Sequence, residues 1–210
     1  MVKDYQVYYK MKYPKTLEQL IECFKLLPGI GEKNAERLSF SLLKIDDEQL
    51  NSFSNAIKNV KNNIKKCVVC NNLTEDNDKC IICQDTSRNK DVLCVVENTK
   101  NLILFEKAGV FNGYYHVLEG LISPLEGVNP EDIKINQLIN RIKDENIKEV
   151  ILALTPSIEG DTTSLYILKM LEGLNVSVTK IASGIPMGAD MEYMDPITIA
   201  KAMEGRNKIS

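Results

Sequence analysis

Two Cys-x2-Cys pairs, Cys67-x2-Cys70 and Cys80-x2-Cys83, stand nine residues apart and constrain this chain more than any other feature. Each pair sets two thiolates on one tight knuckle, and two knuckles complete the tetrahedral set that zinc prefers. Four thiolates leave no open coordination position, so such a centre is structural and not hydrolytic. The residues between the pairs carry too little apolar bulk for a core, so a bound metal would supply the folding energy of this stretch. The reading is one structural zinc per protomer on Cys67, Cys70, Cys80 and Cys83, with an iron–sulfur cluster or a redox pair as alternatives. Cys23 and Cys94 fall in apolar patterns and read as buried small hydrophobes.

The start, MVKDYQVYYK, has neither an apolar core nor a small-residue cleavage site and does not read as a signal peptide. Six cysteines without an export signal point to reduced thiols and a cytoplasmic chain rather than a disulfide framework. No apolar run approaches the ~18 residues of a membrane span, so no membrane partner is expected. Net charge is −3, but it is split along the chain. Residues 1–66 carry twelve basic and eight acidic side chains (+4), and residues 67–210 carry 14 and 21 (−7). A basic head on an acidic body suggests an anionic partner for the head; chance clustering of solvated lysines is the plainer reading.

Leu17, Leu20, Ile21, Phe24 and Leu27 predict a helix over 16–27, broken by Pro28-Gly29-Ile30-Gly31. A second helix is expected over 32–43, and a third carries Leu50, Phe53, Ile57, Val60 and Ile64 in register. After the cysteines, apolar runs at 92–96, 114–118, 150–154 and 176–181 read as strands. Helical patterns alternate with them at 102–108, around 139–142 and at 164–171. That alternation predicts a largely parallel α/β sheet covered on both faces.

Gly29-Ile30-Gly31 is not a dinucleotide fingerprint: a helix precedes it, and Asn34 stands where a third glycine belongs. It fits a helix–hairpin–helix, in which glycines let a DNA phosphate reach bare amides at the start of the second helix. Lys33 and Arg37, at i and i+4, would then neutralise phosphates beside the turn without reading sequence. A plain helix–helix turn is the alternative. In the α/β part, Glu97 ends the first strand, and Glu159 and Asp161 follow the third. Carboxylates at the carboxyl ends of parallel strands can meet in one crevice and share a divalent cation. Equally, Asp161 could help cap a helix beginning near Thr162. The chain has no Gly-x4-Gly-Lys-Ser/Thr loop and no Gly-x-Ser-x-Gly elbow. Its one histidine, His116, lies in an apparent strand and reads as structural.

The order of these motifs resembles the bacterial recombination mediator family RecR. The matching stretches are Leu27-Pro-Gly-Ile-Gly-Glu-Lys-Asn-Ala-Glu-Arg-Leu-Ser-Phe, the four cysteines, Cys94-Val-Val-Glu, Tyr115-His-Val-Leu-Glu-Gly-Leu-Ile-Ser-Pro-Leu-Glu-Gly, Glu149-Val-Ile-Leu-Ala, Glu159-Gly-Asp-Thr-Thr, Ile185-Pro-Met-Gly-Ala-Asp-Met-Glu-Tyr-Met-Asp and Gly205-Arg206. The resemblance implies an α/β protein with an N-terminal helix–hairpin–helix, a four-cysteine zinc finger, a Toprim-like mostly parallel α/β domain and a helical or extended C-terminal tail. The corresponding division is 1–10 as a disordered extension, 11–66, 67–90, 91–186 and 187–210.

It further implies a nucleoid-associated, non-enzymatic protein of recombinational DNA repair. Such a protein clamps DNA as a homodimer or ring-like homotetramer and works with RecO-like and RecF-like partners to load RecA on single strands. Gly29, Gly31, Lys33 and Arg37 match its DNA-contacting turn, and Cys67, Cys70, Cys80 and Cys83 its zinc ligands. Glu97, Glu159 and Asp161 match the Toprim acidic positions, which in this family serve partner and DNA interaction more than chemistry. Toprim enzymes carry Asp-x-Asp where this chain has Glu159-x-Asp161, which weakens the rival reading as a small Mg-dependent nuclease or primase-like enzyme. Met1–Lys10 precede the family pattern and are expected to be disordered and dispensable, with Met11 a candidate start.

Overall fold

The first apolar stripe forms helix α1 (Lys15–Lys25) in the computed structural model, which describes residues 13–75 and 77–206. Met1–Lys10 lie outside the described residues. Helix α2 (Glu32–Leu42) packs on α1 with Ala35 and Ser39 buried one turn apart. These small side chains allow close approach, and the Ser39 hydroxyl is satisfied by donating to the Ala35 carbonyl at 2.8 Å. Cys23 is exposed, contrary to the expectation of burial. The buried contact of α1 is made by Ile21, and Cys23, two residues on, points around to the opposite side of the helix. Helix α3 (Asp47–Asn63) starts where the Asp46 carboxylate accepts the Gln49 amide at 2.9 Å. Its apolar stripe forms as the spacing predicts, yet the helix buries no residue.

The described residues divide into two compact units between Asn62 and Asn63. The second unit opens with the cysteine knuckle. Strands β1 (Lys65–Lys66) and β2 (Leu73–Thr74) pair antiparallel, and the short helix α4 (Ile81–Gln84) begins beside Cys80. The chain continues through β3 (Asn89–Val96), α5 (Thr99–Ala108), β4 (Gly113–Val117), α6 (Ile135–Glu145), β5 (Glu149–Ala153), α7 (Ile158–Met170), β6 (Ser177–Lys180) and α8 (Pro196–Glu204). The four longer strands form one parallel sheet in the order β4-β3-β5-β6, as the alternation predicts. With right-handed crossovers, α5 covers one face and α6 and α7 the other. The central strands bury Leu93, Val95, Val96, Val150 and Leu152 between these layers. Helix α7 starts six residues before the expected 164, because the Ser157 hydroxyl accepts the Gly160 amide at 3.1 Å.

Strand β4 is an edge, and its outward carbonyls are closed by side chains. Gly113, Tyr115 and Val117 accept from Arg88 Nη1 at 3.1 Å, Arg141 Nη1 at 2.7 Å and Asn71 Nδ2 at 3.2 Å. Glu106 and Glu145 fix the two arginines, at 2.5 and 3.0 Å. An edge filled in this way offers no template to a foreign strand.

His116, fully buried on β4, donates from Nε2 to the Lys134 carbonyl at 3.0 Å, as a structural histidine should. Burial brings its pKa down from 6.5 to about 4, the Arg141 charge adding to the effect and the Lys134 bond opposing it. The unfolded chain therefore takes a proton below pH ~6.5 that the native state refuses until about 4. Stability should fall as pH drops through that window, by up to roughly 3 kcal/mol. His116→Gln keeps a donor for Lys134 but has no such proton to take. Urea denaturation should show the gap between parent and variant closing from pH 7 to pH 4.

Candidate nucleic-acid interface, metal centre and acidic crevice

In the first unit the chain turns from α1 into α2 through Leu26–Gly31. Gly29 has φ +81°, a backbone region that a side chain would strain. Gly31 caps α2 in an extended conformation with no side-chain cap, so the first amides of the helix keep their hydrogens free. Lys25 reaches both Glu22 at 2.8 Å and Glu32 at 2.7 Å. The acidic side chain at the start of α2 is thus neutralised locally. Lys33 and Arg37, one turn apart on α2, are exposed and form no ion pair among the described residues. The turn therefore combines free amides with two unshared cations.

In the second unit the sulfurs of Cys67, Cys70, Cys80 and Cys83 lie within 4.8 Å of one another. Three of these residues are buried and Cys83 is half-buried. Among the described residues this is the one group of three or more His, Cys, Asp or Glu side chains close enough to hold a metal ion. Cys70 and Cys80 sulfurs stand 3.6 Å apart, and the Cys80 amide donates to the Cys67 sulfur at 3.3 Å. The thiol of Cys80 is pulled far below its ordinary pKa by hydrogen bonds from Cys70 and Cys83. Donating to that sulfur pushes Cys70 far up. Four thiolates packed this closely repel one another unless a cation sits among them. Cys94 is buried in β3, as its apolar surroundings predict, and burial pushes its thiol up to about 12.

The carboxylates divide. Strand order reverses between β3 and β5, and a crevice of about 490 Å³ opens beyond their carboxyl ends. Glu97 and Glu159 line it, together with Glu119 and Glu126 of the matching stretch that begins at Tyr115, and with Asp132, which lies in none of the matching stretches. Glu97 is held by the Thr155 hydroxyl at 2.5 Å. Its own backbone amide and the Ser157 hydroxyl keep the Glu159 carboxyl below the usual range.

Asp161 does not join them. It points to the other side of α7, where it pairs with Lys180 of β6 and with Lys201 of α8, the latter at 3.0 Å. These two lysines hold its carboxyl below the usual carboxylate range. Nor does Asp161 cap the helix, since Ser157 does so and Asp161 sits within the first turn. The i, i+2 spacing that allowed a shared cation instead splits the two carboxylates around the helix, because that spacing turns a helix by about 200°. Gly160 between them is sterically required: a Cβ there would stand 1.9 Å from the Thr155 carbonyl oxygen.

Comparison with protein-family models matches residues 17–61 to "RecR, helix-hairpin-helix", 91–182 to "Toprim domain" and 184–207 to "RecR, C-terminal". Among the described residues no helix is long and apolar enough to cross a membrane.

Asp161→Asn removes both lysine pairs. They are a third or more exposed in part, so global stability should fall by under about 1 kcal/mol. The tail should nevertheless loosen, because α8 buries no residue and Lys201 ties it to α7. Limited proteolysis read by mass spectrometry should show faster cleavage within 184–206 and an unchanged sheet.

Proposed function

The chain belongs to the RecR family, and on that footing we propose that it is a DNA-binding recombination mediator that performs no chemistry of its own. The observation that carries the DNA contact is the α1–α2 turn. Its free amides and the unpaired Lys33 and Arg37 offer backbone phosphates two kinds of partner on one side of a helix start. Such contacts hold DNA without reading bases, which suits a protein that must act at any damaged sequence.

Zinc is the metal we assign to the four cysteines. The 3.6 Å between Cys70 and Cys80 sulfurs is close to the edge of ~3.8 Å that a tetrahedron of 2.3 Å Zn–S bonds requires. Held there, the ion would neutralise the thiolates and tie the knuckle together, with no coordination position left for water.

Glu97 and Glu159 we read as a docking surface for a partner protein. Without a cation, the five acidic residues of the crevice repel DNA. The engagement of Asp161 by two lysines argues against a three-carboxylate phosphoryl-transfer site. RecO-like and RecF-like proteins are the partners this reading implies, with RecA loading as the outcome and a homodimer or ring-like homotetramer as the working form.

Lys33→Glu combined with Arg37→Glu should abolish DNA binding and leave the fold intact, since both side chains are exposed. Titrations at several salt concentrations should show steep salt dependence in the parent. Replacing each residue singly by Ala should lower the slope of log K against log salt by about 0.7–0.9. DNA affinity unchanged in the double variant would remove the turn from the interface. Metal analysis should find one zinc per protomer. Cys80→Ser should lower stability and solubility without abolishing a chemical step.

A further inference from the structure

We propose that Asn71 is the positioning residue through which the four-cysteine centre sets the acidic crevice. Asn71 comes directly after Cys70, is 6% exposed, and holds φ at +61°, a region that asparagine tolerates better than other side chains. Its amide reaches out of the knuckle. Nδ2 donates to the Val117 carbonyl at 3.2 Å and to Gln137 Oε1 at 2.9 Å. Gln137 on α6 returns the bond, its Nε2 donating to the Val68 carbonyl at 2.9 Å. The Val117 amide donates to the Cys70 carbonyl at 2.8 Å. The last outward peptide groups of β4 are therefore held by a metal-ligating cysteine and its neighbour, as a flanking strand would hold them.

Past Val117 the chain runs straight into the crevice. Leu118 and Glu119 donate to the Val96 and Glu97 carbonyls, each at 2.9 Å, which clasps the two strand ends together. Glu119 sits at φ +67°, and its carboxylate meets Lys66 of β1 at 2.5 Å. The strained turn that carries Glu119 is thus gripped by the knuckle twice, through Asn71 at its root and through Lys66 at its carboxylate. A knuckle drawn together by its metal keeps Cys70 and Asn71 in register with β4; a knuckle without it releases that register. Metal occupancy and crevice geometry are coupled, although no crevice carboxylate is among the four cysteine ligands.

The proposal rests on the zinc reading of the cysteines, and the test separates the two. Asn71→Gly preserves the positive φ but deletes both amide bonds. Gln137→Ala changes no residue of the knuckle but removes the brace that orients the Asn71 amide, together with the bond to the Val68 carbonyl. Hydrogen exchange is read by mass spectrometry on the full chain, with the metal-to-protein ratio measured alongside. Both variants should keep the parent's metal content and exchange Val117–Gly120 about tenfold faster, with β5 unchanged. Stripping the parent with a chelator should accelerate the same segment, and stripping Asn71→Gly should add little further, because the link is already cut. Parental exchange in both variants overturns the proposal. So does metal loss in Asn71→Gly, which would make the side chain part of the knuckle's own fold, or a stripped parent in which Val117–Gly120 is unmoved. A parent that purifies without metal overturns the zinc reading and the coupling with it.

Discussion

The α/β unit depends on how the free edge of β4 is closed. A parallel sheet whose edge carries Gly113, Tyr115 and Val117 carbonyls outward must find three donors or leave them to solvent and to other chains. The donors come from three separate places: Arg88 just before β3, Arg141 on α6 and Asn71 in the cysteine knuckle. Each donor brings its own element along. The two arginines are held by Glu106 and Glu145, and Arg141 is buried while doing so. Closing the edge thereby fastens the knuckle, α5 and α6 to one strand, and the same strand delivers Glu119 to the crevice.

The acidic residues show how one motif can serve two ends. Glu159 faces the crevice and stays solvated, while Asp161 turns away to two lysines. Gly160 lets the helix start pass against the Thr155 carbonyl, so α7 begins close to the end of β5. One carboxylate is thus kept as a surface charge at the switch point of the sheet, and the other as an internal tie to the tail. Neutralising Asp161 with lysines lowers the concentration of negative charge at this end of the unit, which three open carboxylates would have raised.

Much of this was legible in the chain itself. Strands β3, β4 and β5 lie within about three residues of their predicted positions at each end, because strands buried on both faces are continuous apolar runs. The cysteine cluster is a local pattern of short spacings, and it assembles as that pattern requires. The features that escaped depend on tertiary partners. Periodicity found the stripe of α3 but could not tell that it buries nothing, and it placed Cys23 inside because its neighbours were apolar. The fate of Asp161 depends on Lys201, 40 residues away. Asn71 depends on Val117 and Gln137, 46 and 66 residues away, and nothing beside it in the sequence marks it. The two-residue strands β1 and β2 are too short to carry any periodicity at all.

The two sides of the sheet are unequal in a way that gives the unit a direction of growth. At β6 the amides of Ser177 and Ile181 bond back to Lys148 and Leu152, so alternation turns the peptide groups of Val178 and Lys180 away from the sheet. Among the described residues these groups have no backbone partner, in contrast to the occupied carbonyls of β4. Hydrogen-bonded extension of the sheet is therefore one-sided. A fifth strand from any source has a vacant ladder beside β6 and an occupied one beside β4, so an assembly built through this sheet has a polarity before any second molecule arrives.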